Sequence, residues 1–120
     1  MKHSVSELSG ALLDAAVAMV LGHPWRIDDE TIVYVKGRLC DPEEESAFCP
    51  SMYWDHGGPI IQRERIGLTY WGEDRTHPWS AEMPRLSYHI QPASGWADAP
   101  LIAAMRAYCA SRFGDEVELP

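Results

Sequence analysis

The sequence predicts an α+β domain, a small antiparallel sheet with an N-terminal and a C-terminal helix packed on one face. Two patterns carry this reading. Apolar residues recur at helical spacing near both ends of the chain, and the stretch between holds short runs that alternate in period two. At 120 residues the chain reads as a single domain, residues 1–120. A chain of this size buries roughly two-thirds of its unfolded surface and folds without staples. Hydrophobic content of 46% against 23% charged excludes a disordered chain.

The elements follow in order. Leu8, Leu12, Ala15, Ala16, Met19 and Val20 form one helical stripe, with Ser6 or Ser9 as its cap, and Gly22-His23-Pro24 stops it. Thr31-Ile32-Val33-Tyr34-Val35 is β-branched and aromatic and predicts a strand ending at Gly37. An acidic, proline-containing loop over 40–50 comes next. Pro59 to Glu64 fits one short helical turn, because proline suits a first helical position. Ile66, Leu68 and Tyr70 alternate with Gly67, Thr69 and Trp71, and Gly72-Glu73-Asp74-Arg75 turns the chain. Trp79-Ser80-Ala81-Glu82-Met83 and Leu86-Ser87-Tyr88-His89-Ile90 alternate as further strands. Pro100 opens the last helix, whose stripe is Leu101, Ala104, Met105, Tyr108 and Cys109, and Phe113-Gly114 closes it before an acidic tail.

Charge and composition narrow the function classes. Net charge is −8, the wrong sign for a protein whose affinity comes from neutralising a nucleic-acid backbone, so direct nucleic-acid binding is excluded. Asp28-Asp29-Glu30 and Asp41-Pro42-Glu43-Glu44-Glu45 hold much of the excess, either as solvated loop faces or as a nucleic-acid mimic that occupies a basic protein. Five Trp and five Tyr beside two Phe favour half-wet sites at interfaces and ligand pockets. Together with the apolar stripes they predict a homo-oligomer. Three cysteines without metal spacing and without a leader segment point to reduced thiols in a cytosol, and no apolar run approaches a membrane span.

Candidate chemistry is thin. His3, His23, His56, His77 and His89 form no ligand pair, so no metal or other cofactor is expected. Ser94-Gly95 and Ser9-Gly10 lack the flanks of a nucleophile elbow, and Cys109 sits on an apolar stripe. The residues from Phe48 to Ile66 stand apart: Tyr53-Trp54-Asp55-His56 runs into Gly57-Gly58-Pro59, then Ile60-Ile61 and Arg63-Glu64-Arg65. Such a composition reads as a recognition loop feeding a regular element. Gly57-Gly58-Pro59 is too short for a phosphate-binding loop but long enough for a backbone nest that binds one anion. An extended Arg63 and Arg65 would share a face suited to phosphate or carboxylate, with Trp54, Trp71 and Trp79 as stacking surfaces. The alternative for both arginines is pairing with the acidic loops. Arg106, at the edge of the last helix's stripe, requires a partner there, Asp55 or Glu64.

Trp54, the Gly57-Gly58-Pro59-Ile60-Ile61 run, Arg63-Glu64 and Ile66 resemble the central signature of the phage NinX family. Pro100-Leu101-Ile102-Ala103-Ala104-Met105-Arg106-Ala107-Tyr108 with Phe113-Gly114-Asp115-Glu116-Val117 is similar to its closing signature, and Leu8-Ser9-Gly10 with Leu13-Asp14-Ala15-Ala16-Val17-Ala18 to its opening helix. Met52-Tyr53 departs from the family pattern, and residues 24–47 carry none.

The resemblance implies a small accessory protein of tailed phages, acting in the cytoplasm of the bacterial host, with no reaction attached. Two functions are then open. One is a non-catalytic binder that sequesters a small nucleotide-like ligand made in bacterial defence. The other is an acidic interaction protein that binds and inhibits a host or phage nucleic-acid-handling protein. For the first, Tyr53 and Trp54 stack on a base and Arg63 and Arg65 fork onto phosphate. His56 with the Gly57 and Gly58 amides completes the anion site, and Asp55 holds a ribose hydroxyl or orients His56. The central and closing signatures, Arg106 among them, are then expected side by side, with Trp54 at least partly buried.

Overall fold

The computed structural model describes residues 1–87 and 89–120 as a mixed α+β globule with three helices and three small antiparallel sheets. Along the chain these are β1 (Lys2–Ser4), a 3-10 turn (Val5–Glu7), α1 (Gly10–Leu21), β2 (Trp25–Asp28), β3 (Ile32–Lys36) and β4 (Glu45–Ala47). Then come α2 (Trp54–Glu64), β5 (Gly67–Tyr70), β6 (Trp79–Glu82), β7 (Ser94–Ala97), α3 (Pro100–Phe113) and β8 (Glu116–Glu118). The expected single sheet is instead divided into β1-β8, β2-β3-β4 and β5-β6-β7. Helix α3 is the hub for two of them, touching α1, α2, the 3-10 turn, β5, β6, β7 and β8, while β2 and β3 pack on α1.

Local chemistry explains most boundaries. Ser9 sits at the N-cap position of α1, and Gly22 ends that helix with φ 80°, its N–H reaching back to Ala18 and Met19. Pro100 stands in the first turn of α3, where its missing N–H costs nothing, and Gly114 ends it. The β2–β3 hairpin turns through Asp29 and Glu30 at φ 50° and 61°, with the Thr31 N–H and hydroxyl both donating to the Asp28 carbonyl. The residues read as an acidic tail form β8 instead. It pairs with β1 and places Val117 and Leu119 in the core.

Two further corrections concern the middle of the chain. The strand expected over 86–90 is absent from the described residues, where Ser87 and Ile90 form a single antiparallel bridge; Tyr88 lies outside them. The segment read as a loop with one helical turn is a full helix, α2, beginning at Trp54 with Pro59 inside it. Proline there removes one backbone hydrogen bond, and two adjacent glycines are poor helix formers. Packing overrides both. Ile60 is buried, and Gly57 lies so close to α3 that an added Cβ would meet the Pro50 carbonyl oxygen at 2.5 Å and Leu101 Cδ2 at 2.7 Å.

Gly57 and Gly58 therefore serve different ends. Neither has positive φ, and nothing lies within 4 Å of a Cβ placed on Gly58. Gly57→Ala is expected to lower stability by at least about 1–3 kcal/mol through overpacking. Gly58→Ala is expected to raise it by about 0.5–1 kcal/mol through helix propensity. Urea unfolding of the two variants beside the parent checks this, and a loss of stability in both would contradict the helix.

Candidate functional site

Helix α2 separates the residues that the sequence reading had placed in one pocket. Tyr53 and Trp54 stand at its start, where Trp54 is 53% exposed instead of partly buried, and Arg63 lies in its last turn. Nine residues of helix put about 14 Å between Trp54 and Arg63. No backbone nest forms at Gly57-Gly58, because the Gly57 N–H is already given to the Tyr53 carbonyl at 2.9 Å. Arg63 and Arg65 share no strand face. Arg63 is helical and Arg65 is the left-handed C-cap, with φ 56°.

His56 and Asp14 hold the approach to α2 in place. The Cys49 N–H donates to His56 Nδ1 at 2.9 Å, while the ring stacks on Phe48 and meets the edge of Tyr53. Burial, aided by Arg38 and opposed by Asp55, holds His56 below its ordinary range, so the imidazole is neutral and its proton is on Nε2. Asp55 Oδ2 lies 3.9 Å from that nitrogen. On α1, Asp14 is only 4% exposed and accepts the Ser51 N–H at 2.9 Å. Burial pushes its carboxyl up to about 6, partly offset by the Ser51 backbone and hydroxyl. Burial first and Asp14 second also raise both nearby thiols, Cys49 and Cys109, the latter to about 12. Both are therefore protonated and act as packing groups.

The signature segment does lie against the last helix, as expected. Arg106, however, meets no carboxylate. Its Nε donates to the Leu8 carbonyl at 2.8 Å and its Nη1 to the Trp96 carbonyl at 2.6 Å. Burial pulls it below the ordinary arginine range, while Asp98 and Glu7 oppose that shift; it ties three chain segments together and is not presented to a ligand.

The two signature blocks make their polar contact at the opposite end of α2. Glu64, with 20% of its side chain exposed, accepts Arg63 Nε at 2.9 Å and lies 3.8 Å from Arg112 Nη2. Arg63 also donates to the Tyr108 hydroxyl at 3.2 Å, and the Arg112 guanidinium stands over the Tyr108 ring. Glu64 first, and burial against it, set Arg63 above the ordinary arginine range. Beside this cluster opens a cavity of about 600 Å³. Its apolar wall is Met83, Pro84, Leu86, Ile90, Pro92 and Ala93, from the 83–93 segment. Ala110, Ser111 and Arg112 of α3 face that wall, and Glu64 and Gln91 complete the polar end.

The model of bacteriophage P22 NinX matches residues 4–112, from β1 to the last turn of α3. The chain belongs to the NinX family. No curated protein matches it. The matched span contains every residue lining the cavity, so this site lies wholly within the NinX-like domain.

Sequence reasoning identified Arg63 and Glu64 but missed Arg112 and the 83–93 wall. The signals were present: Arg112 follows Tyr108 by one helical turn, and Pro84 and Pro92 bracket a run with Leu86 and Ile90 that no sheet absorbs. Among the described residues no helix is long and apolar enough to cross a membrane, and no cluster of metal-ligating side chains occurs.

Asp14 gives a direct test of this geometry. Its native carboxyl titrates higher than the unfolded one, so the folded state binds more protons between pH 4 and 6 and loses stability as pH rises through that window. The ceiling is about 3 kcal/mol, at about 1.4 kcal/mol for each pH unit of separation. Asp14→Asn keeps an acceptor for Ser51 and removes the buried charge. The variant is expected to equal the parent near pH 4 and to exceed it above pH 7. Parallel stability–pH curves for the two proteins would show that Asp14 is not desolvated.

Proposed function

We propose that this phage accessory protein is a non-catalytic binder that sequesters a small phosphate-bearing, nucleotide-like ligand in the host cytoplasm. The cavity at the ends of α2 and α3 takes the place of the α2 N-terminus as its site. One observation carries the reading: a space of about 600 Å³ joins an apolar wall to Arg112, whose side chain is 56% exposed and 3.8 Å from its carboxylate partner. That volume is in the range of small-molecule pockets. A guanidinium held by a long Coulomb contact and by its place over the Tyr108 ring, neither of which occupies an N–H in a short hydrogen bond, keeps its donor fork for a phosphate. A planar base suits the prolines, Leu86 and Ile90. Arg63 is engaged by Glu64 and Tyr108, so it positions Glu64 and leaves Arg112 as the phosphate contact.

Chemical transformation has little support. The buried thiols are protonated, and His56 is neutral and bound to a backbone amide. The mimic reading of the acidic loops is weakened as well, because Arg26 engages Glu45 through two bonds of 2.9 and 3.1 Å and Lys36 lies 3.9 Å from Glu43.

The test is to incubate the protein with nucleotides and with extracts of phage-infected cells, release retained molecules by heat, and identify them by mass. An unmodified nucleotide is expected. Calorimetry should show its affinity falling roughly 10-fold or more in Arg112→Ala, the loss of one charge-assisted contact. Trp54→Ala should leave it unchanged. A chemically altered product would replace this reading with an enzyme.

A further inference from the structure

The outer face of β5-β6-β7 carries a second surface, which goes beyond the ligand cavity. The register places Leu68, Ala81 and Gly95 in one row and Tyr70, Trp79 and Ala97 in the next, on the side that meets α3. Strand alternation then turns Thr69, Ser80, Glu82 and Trp96 to the opposite side, with Trp71 and Asp98 continuing the same parity just beyond the strand ends. Trp71 and Trp96, 50% and 40% exposed, stack there with ring centroids 5.9 Å apart. Trp71 Nε1 donates to Ser80 Oγ at 2.8 Å, which fixes the ring. Two exposed indoles held in register on a sheet face lose little side-chain entropy on binding, as a recognition surface requires.

The chain itself indicates what the surface accepts. The 72–77 turn folds back so that the Arg75 guanidinium lies 5.3 Å over the Trp71 ring. Among the described residues Arg75 forms no ion pair, although Glu73 and Asp74 precede it directly. The Trp71 indole face thus already carries a guanidinium, at the distance of a cation–π contact. Glu82 on the same face, Asp98 beyond Trp96, and a net charge of −8 add attraction for cations; Arg106 offsets part of the Asp98 field from the helix side. We propose that this face docks an arginine-bearing segment of a basic partner protein, with guanidinium groups stacking on Trp96 and displacing Arg75 from Trp71.

Hexa-arginine and hexa-lysine peptides, titrated into the full chain and followed by tryptophan fluorescence and calorimetry, test the proposal. Hexa-arginine is expected to bind several-fold more tightly than hexa-lysine. Trp96→Ala should weaken it about 10-fold and Glu82→Gln a few-fold, while Arg75→Ala tightens it by vacating the Trp71 ring. Both Trp96 and Glu82 are exposed, so the variants fold, and circular dichroism confirms that. Equal affinities for the two peptides, or hexa-arginine binding unchanged in Trp96→Ala, would overturn the proposal. So would a dimer by light scattering that reverts to monomer in Trp96→Ala, which would assign the face to a second copy. Retention of a single-stranded oligonucleotide on these indoles would overturn it in favour of base stacking.

Discussion

The close approach of β7 to α3 is the constraint on which the rest depends. An added Cβ on Gly95 would collide with the Ala103 carbonyl oxygen, and it would come within 2.7 Å of the Ala107 nitrogen and 2.8 Å of Arg106 Cβ. The helix presents Ala103, Ala104 and Ala107, all fully buried, so backbone lies almost on backbone along this seam. Small residues here do what bulky ones do elsewhere, because close packing recovers dispersion energy across the whole contact. With the seam set, Arg106 beside it reaches the Leu8 and Trp96 carbonyls, closing the N-terminal turn and β7 onto the same helix. A guanidinium takes this task well, since its fork of donors reaches both carbonyls at once and it stays charged.

The seam also relates the cavity to the outer indole face. Met83, Pro84, Leu86, Ile90, Pro92 and Ala93, which wall the cavity, lie between β6 and β7, and the pairing of Ser80 with Trp96 sets where the outer indole stands. Both surfaces hang from the β6–β7 ladder, one from its connection and one from its outward row. The helix side is equally shared: Arg106 holds β7 in the middle of α3, and Arg112 faces the cavity at its end.

Legibility in the sequence followed periodicity. Helices α1 and α3 were readable because long apolar stripes end in a cap glycine, β3 because it is β-branched and aromatic, and the cores of β5 and β6 because they alternate. Shorter elements gave less. Glu116-Val117-Glu118 does alternate, but its charge looks like a solvated tail until β1 is found beside it. The β2–β3 hairpin turns through Asp29 and Glu30, without the glycine that normally announces two left-handed residues. Helix α2 was the largest miss. Gly57-Gly58-Pro59 has the local chemistry of a turn, and only contact with Pro50 and Leu101, distant in sequence, makes Gly57 a packing residue. The candidate site was then half legible: its charged residues were identified, while their arrangement depended on that helix.

Net charge of −8 opposes an anionic ligand at long range, yet distance decides the matter. At physiological salt exposed charges beyond about 8 Å are largely screened, whereas a unit pair at 4 Å still gains about 4 kcal/mol at a surface-like dielectric. The cavity is lined by one acid, Glu64, and one base, Arg112, and Glu64 is already bound by Arg63 at 2.9 Å, so the exposed Arg112 guanidinium sets the field at short range. Apart from Glu64, many of the acids lie elsewhere, at the β2–β3 tip, along the 41–45 loop and beside the outer indoles. One chain can therefore present an exposed guanidinium in a pocket and an anionic aromatic face, each acting within its own screening length. The overall charge governs long-range encounter, and the residues at each site govern what stays bound.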